Sequence, residues 1–323
     1  RKLIDAHPDG LFHADHKSLT PLHVALMYDS YCPVDVIRLL LEEIELDCGA
    51  GHQGLKNIIC GQSSMNKYSN DKGGCIRSST ILCGTENSPL AIFWETHSSK
   101  FSFLQDHIPE QEKQQSELWQ KTVLLIRAAY HGSVIDTLPT GETFRLVHAA
   151  AGVGCPPAVM KFCIQLHPEQ TCEVDIYGQM PLAIAMTASF MDNGEDDFVK
   201  FHEVGPPPSE ITYSTDFSDL LMSSIQILLY CNPKAAGLVD HEGRLPLHIG
   251  LSSGKTWDVM TPIFKAEPRA VSIRDPKTLL FPFMIAAVGN KSRLDDEDDF
   301  FQDAKLATIF LALRENPSVC LVL

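Results

Sequence analysis

Residues whose types and spacing could support catalysis or metal binding fall in four places in this chain. His13-Ala14-Asp15-His16 carries the donor types of a metal-hydrolase centre. Such a centre needs a further histidine just upstream and more ligands downstream, and neither is recognisable. Gly250-Leu251-Ser252-Ser253-Gly254-Lys255-Thr256 imitates a phosphate-binding loop. That loop needs four residues between its glycines so that backbone N–H groups wrap the phosphates. Here there are three, and no strand precedes them. The segment reads instead as a turn between two helices, with Gly254 ending the first and Thr256 capping the second. Gly152-Val153-Gly154 lacks the third glycine of a dinucleotide fingerprint and reads as the same kind of turn. Cys48, Cys60, Cys75 and Cys83, with His52, supply enough donors for zinc. Structural zinc sites pair ligands two to four residues apart, whereas these cysteines are eight to fifteen apart, so reduced thiols are the simpler reading. No Ser–His–Asp set or carboxylate pair stands out. The expectation is no catalytic residue, no metal ligand and no cofactor.

Composition narrows the partner. The formal charge of −15 argues against nucleic acid and anionic membranes, since both need clustered Lys and Arg. Much of the acid is in two runs, Glu195-Asp196-Asp197 and Asp295 to Asp299, which read as solvated loops. No stretch approaches the roughly 18 apolar residues of a membrane span. The chain has ten cysteines, but 323 residues with a 44% hydrophobic fraction do not need a disulfide framework. Cys163, Cys231 and Cys320 sit in apolar text, as buried free thiols do. A cytoplasmic or otherwise intracellular protein is expected. The chain begins at Arg1 rather than a methionine, which leaves any targeting segment unread.

A repeat must position whatever these residues do. Four times a proline is followed seven residues later by an aspartate, and six or seven residues after that by another proline. The runs are Pro8–Asp15–Pro21, Pro168–Asp175–Pro181, Pro233–Asp240–Pro246 and Pro268–Asp275–Pro282. Self-similarity at a fixed period signals a repeat solenoid. The unit is 35 to 36 residues: a first helix of about nine, a turn, a second helix of about twelve, then an extended segment holding the aspartate. First helices are anchored at Pro21, Pro89, Leu146, Pro181, Pro246 and Pro282. Proline suits that position because its missing N–H would be unpaired anyway. Thr20 can serve as N-cap, whereas Met180, Leu245 and Phe281 cannot. Second helices stop at His7-Pro8, His167-Pro168, Asn232-Pro233, Glu267-Pro268 and Asn316-Pro317, because the residue before proline is pushed out of the helical region.

The predicted organisation is repeat units over 1–46, a Cys/Gly/Ser-rich flexible insert over 47–87, and degenerate units over 88–186. An acidic, Pro-rich insert over 187–218 follows, then units over 219–323 with an acidic loop at 290–302. A further insert spans about 98–115. Loops this long are functional or disordered, and their composition favours disorder. Both ends fall inside a unit, which suggests a piece of a longer array.

These residues resemble ankyrin repeats. The strongest matches are Thr20-Pro21-Leu22-His23-Val24-Ala25 and Asp240-His241-Glu242-Gly243-Arg244-Leu245-Pro246-Leu247-His248. Asp175 to Ala183 lacks the histidine. Asp275 to Pro282 carries one extra residue and lacks the glycine. The similarity covers most of 1–46 and 140–317 and is weak from 47 to 140. The unit is longer than the usual 33 residues and ends its second helix in a residue–proline pair.

The resemblance implies an all-α helix–turn–helix solenoid with short β-turn fingers between units. The aspartates then accept hydrogen bonds from turn N–H groups, and Gly178 and Gly243 take a positive φ. His23, His148 and His248 bond backbone across the turn. Asp15 thereby has a structural role in place of a metal. The implied function is a non-catalytic scaffold that binds a protein partner through finger tips and a concave helical face. Equivalent tips are Lys17, Tyr177, Glu242 and Lys277. The segment is expected to be monomeric. Two alternatives stay open: a regulatory ankyrin segment of a larger enzyme or membrane protein, and metal binding through the Cys-rich insert.

Overall fold

The computed structural model describes residues 6–28, 32–47, 52–60, 88–105, 109–134, 144–188, 222–288, 299–315 and 317. Every regular element among them is helical, and no strand occurs among the described residues. The protein is all-α. It divides into two compact units, residues 1–162 and 163–323.

The first unit contains α1 (Pro21–Met27), α2 (Val34–Asp47), α3 (His52–Cys60), α4 (Pro89–His97), α5 (Glu110–Gln115), α6 (Glu117–His131) and α7 (Leu146–Gly152). Helix α1 packs on α2 and α4, and α6 packs on α2, α3, α5 and α7. Leu41, Ile44, Leu55, Ile59, Leu125 and Ile126 are buried in its core. Two segments differ from the expected loops. Residues 52–60, inside the stretch read as a flexible insert, form α3 and bury Leu55 and Ile59. Residues 98–115 hold a 3-10 turn (Ser98–Gln105) and α5. Their described parts, 98–105 and 109–115, are held by Phe101, which meets Phe93 and Trp94 at 6.1 and 5.7 Å, and by Lys113, whose Nζ donates to the Leu104 carbonyl at 2.7 Å. Aromatic anchors and one buried lysine bond offset the polar composition of that stretch.

Helix α8 (Pro157–Leu166) leads into the second unit. Among its described residues that unit holds three helix pairs: α9 (Pro181–Thr187) with α10 (Ser224–Cys231), α11 (Pro246–Ser252) with α12 (Trp257–Ala266), and α13 (Pro282–Val288) with α14 (Asp299–Glu315). First helices pack in the order α9, α11, α13, and second helices in the order α10, α12, α14. Each α11 flank is therefore covered, and Leu247, Ile249 and Leu251 are buried. The first helices of this unit begin at the expected prolines but run seven residues rather than nine.

Capping departs from expectation at one point and extends it at two. Thr256 occupies the N-cap position of α12, yet its hydroxyl makes no cap bond. The hydroxyl of Thr308, on α14, instead accepts from Trp257 N–H at 3.0 Å. At α11, where Leu245 has no side chain to cap with, His248 Nδ1 reaches back to accept from Leu245 N–H at 3.3 Å. Lys255 Nζ donates to the Ala188 carbonyl beyond the end of α9 at 2.8 Å, which places a cation at a helix C-terminus. The residue–proline stops lead into short 3-10 turns before the chain extends: Pro168–Cys172, Pro233–Gly237 and Pro268–Ser272. Proline is as well placed at the start of a 3-10 turn as at the start of an α-helix, since its φ fits both.

Candidate interaction surface

The repeated aspartates build four near-identical turns. In each, the Asp N–H donates to a carbonyl four residues on: Leu19 at 2.9 Å, Gln179 at 2.9 Å and Arg244 at 3.0 Å. In the turn from Asp275 the acceptor is Leu280, five residues on, at 2.9 Å, which accommodates the extra residue. The carboxylate Oδ1 of each aspartate accepts from the N–H two residues on, at 2.8 Å from Lys17, 2.9 Å from Tyr177, 2.9 Å from Glu242 and 3.4 Å from Lys277. Backbone donors, the Leu19 N–H foremost, hold the Asp15 carboxyl below its ordinary value. Asp15 is thus committed to its own turn. Among the described residues no group of three or more His, Cys, Asp or Glu is arranged to hold a metal ion. Cys60 is described, and burial pushes its thiol up to about 11 against the pull of Lys56. Cys48, Cys75 and Cys83 lie outside the described residues.

Each turn needs one residue in the left-handed region. Gly178 and Gly243 fill it at φ 71° and 77°. Ser18 and Leu279 fill it at φ 62° and 61°, where a side chain costs roughly 1 kcal/mol. At Gly243 an added Cβ would also lie 3.3 Å from Pro276 Cγ. Gly243→Ala is therefore expected to lower the unfolding free energy by about 1–2 kcal/mol, which chemical denaturation would read.

The last three turns stack side by side. The backbone at Gly178 faces His241, with 3.8 Å to be left between a new Cβ and the His241 Cβ, and Gly243 faces Pro276. Between the second and third turns the bracing is ionic. Arg244 Nε donates to Asp275 Oδ1 at 2.9 Å and its terminal nitrogen to Asp275 Oδ2 at 3.1 Å. The same terminal nitrogen donates to the Ser252 hydroxyl at 2.5 Å, and Thr278 donates to Asp275 Oδ2 at 2.8 Å. The Asp275 side chain is 0% exposed. Burial alone would raise its pKa, but the Arg244 and Thr278 bonds outweigh it and hold the carboxyl below the ordinary 3.8.

Behind the turns, His248 Nε2 lies 3.0 Å from the Ile273 carbonyl. Because Nδ1 accepts from Leu245, the proton belongs on Nε2, and the ring is neutral and bonded at both ends. His23 repeats half of this, its Nδ1 accepting from Thr20 N–H at 3.1 Å. His148 is buried at the equivalent position. Burial lowers the His248 pKa below the ordinary 6.5, against the opposing pull of the Ile273 bond and Asp275. The unfolded chain then binds the proton first, so His248 stabilises the fold fully above about pH 6.5 and progressively less below it. Asp275 follows the same sign at lower pH: its contribution is present above 3.8 and is lost as pH falls through its depressed value. A two-stage acid loss of stability is expected, and His248→Gln should flatten the upper stage in denaturation series across pH 7.5 to 5.

The four sequence-derived tip residues are not equivalent. Lys17 is exposed, in the first unit. Tyr177 is 64% exposed on the first of the three stacked turns. Glu242 and Lys277, on consecutive turns, are brought together: Lys277 Nζ donates to both Glu242 oxygens at 2.8 Å, and this bond lowers the Glu242 pKa. The two charges answer each other. What the tips display instead is apolar. Val174, Ile176 and Tyr177, then Leu238 and Val239, then Ile273 and Leu279 are all exposed along the three turns and the extended residues leading into them. Sequence reasoning passed over all but Tyr177. The available signal was the recurrence of apolar residues one or two places before each aspartate, in text too short for a helix or core strand. Comparison with known proteins finds no match: no family model, no curated protein and no solved structure corresponds to this chain.

Proposed function

We propose that the chain is an ankyrin-like array of helix–turn–helix repeats serving as a non-catalytic protein-interaction module, with the Asp turns as its fingers. The carrying observation is the set of exposed apolar side chains on three stacked turns whose aspartate carboxylates, and whose Glu242–Lys277 pair, are bonded within the turns. Exposed apolar patches on an otherwise charged surface mark interaction sites. The turns present that patch on a frame fixed by buried bonds, which limits the entropy lost on binding. The partner is a protein, and the localisation proposed is intracellular; a net charge of −15 disfavours nucleic acid and anionic lipid. No helix among the described residues is long and apolar enough to cross a membrane.

The experiment is affinity capture from native lysate on residues 1–323, run beside a Tyr177→Asp/Val239→Asp double variant. Both residues are exposed, so the variant should keep its melting temperature. Proteins captured by the wild type and lost with the variant are the expected result. Capture indifferent to both substitutions would refute the surface.

A further inference from the structure

Each inner first helix meets its predecessor through one side and its successor through the other. An added Cβ at Gly250, the fifth residue of α11, would lie 3.1 Å from the sulfur of Met186, the sixth residue of α9. His248, the third residue of α11, lies with Nε2 3.0 Å from the Ile273 carbonyl in the next connection. Helical spacing groups the first, fourth and fifth residues on the side facing the preceding helix, and the third and sixth on the side facing the following one. In α9 and α11 all of these positions are buried.

Helices α1 and α13 are each covered on one side only, and the sides are opposite. Helix α1, packed on α4, buries His23 and Leu26, its third and sixth residues. Its Pro21 and Val24 are exposed and its Ala25 is half-buried. Helix α13, packed on α11, does the reverse: Pro282, Ile285 and Ala286 are buried, Met284 is half-buried and Ala287 is exposed. The second helix beside it agrees. Leu306 stands ten residues before its residue–proline stop, as Met222 and Trp257 do before theirs. Those two are 6% exposed, whereas Leu306 is 62% exposed. Phe310, one turn on, is exposed as well.

Helix α1 therefore keeps bare the half-contact that receives a preceding helix, and α13 with α14 the half-contact that receives a following one. Joined, the two halves reproduce the contact already made between α11 and α13. Both are apolar, and leaving such positions in water forgoes burial that their siblings obtain.

We propose that a second copy of this chain docks head to tail, with the α13–α14 face of one copy against the α1 face of the next. The contact lies apart from the finger surface and does not rest on it, and it departs from the monomer expected of the sequence. Because the two faces differ, the contact is heterologous, and each copy carries one face of either kind.

The test is sedimentation velocity on residues 1–323 over about 1 to 100 µM. The weight-average sedimentation coefficient is expected to rise across that range. Val24→Asp and Ala287→Asp each place a carboxylate at an exposed position, so both should keep the wild-type melting temperature. Each carboxylate would be dehydrated in the contact, so each variant alone should sediment as a monomer. An equimolar mixture of the two should form a capped heterodimer, since one intact face of each kind remains. The Tyr177→Asp/Val239→Asp variant should self-associate like the wild type, whatever it does in lysate capture. A wild type that stays monomeric at about 100 µM, association that survives either single variant, or a mixture that gains no heterodimer would overturn the proposal. Loss of association with the Tyr177/Val239 variant would overturn it too, by placing the contact on the fingers.

Discussion

Arg244→Met is expected to lower the unfolding free energy by about 3–5 kcal/mol, because it leaves the Asp275 carboxylate buried without its cation. The Asp275 side chain is fully shielded, and Arg244 supplies two of its bonds while reaching Ser252 and the His248 carbonyl as well. Removing the guanidinium leaves Thr278 and the Lys277 N–H as remaining donors. The comparison that isolates the charge is the double variant Arg244→Met/Asp275→Leu. Replacing a buried pair by apolar residues is often neutral, so the double variant should regain much of what the single one loses. Chemical denaturation of all three chains reads this directly. A single variant within about 0.5 kcal/mol of wild type would show that the pair does not brace the turns.

The second large effect is Leu247→Asp. Leu247 is 0% exposed in α11, the helix that packs on both α9 and α13. A carboxylate there loses its hydration with no cation built to receive it, at a cost of at least about 3 kcal/mol. Because α11 joins its neighbours on each side, the damage should spread. Thermal unfolding of the second unit should drop and broaden. Substituting the exposed Ile176 by Asp in the preceding turn should leave the melt unchanged. A melt indifferent to Leu247→Asp would refute the placement of α11 in the core.

How much of this was legible depends on whether a feature is local. Pro181, Pro246 and Pro282 open their helices as read, since the reason is confined to one residue's φ and missing N–H. The Asp175 and Asp240 turns close on themselves within four residues, so residue type together with the family resemblance implied their hydrogen bonds and the positive φ of Gly178 and Gly243. Helix α3 was not legible, because its order comes from packing Leu55 and Ile59 against distant helices rather than from its own Gly- and Cys-flanked text. The same holds for residues 98–105, fixed by Phe101 against Phe93 and Trp94. At the surface, the tip positions followed from the repeat. That Glu242 and Lys277 would consume each other did not, because their meeting depends on how closely consecutive turns stack. The role of Arg244 has no local signal in the repeat text; only the register of the next turn places Asp275 beside it.

The central claim is that the apolar edge of the three stacked turns is the contact surface. Amide hydrogen exchange on the captured complex, compared with the free chain, tests it most directly. Binding is expected to slow exchange in the turns around 174–179, 238–244 and 273–280, while the amides of α14 keep their free-chain rates. Protection confined to α14 or to the first unit, with those three turns exchanging as before, would contradict it.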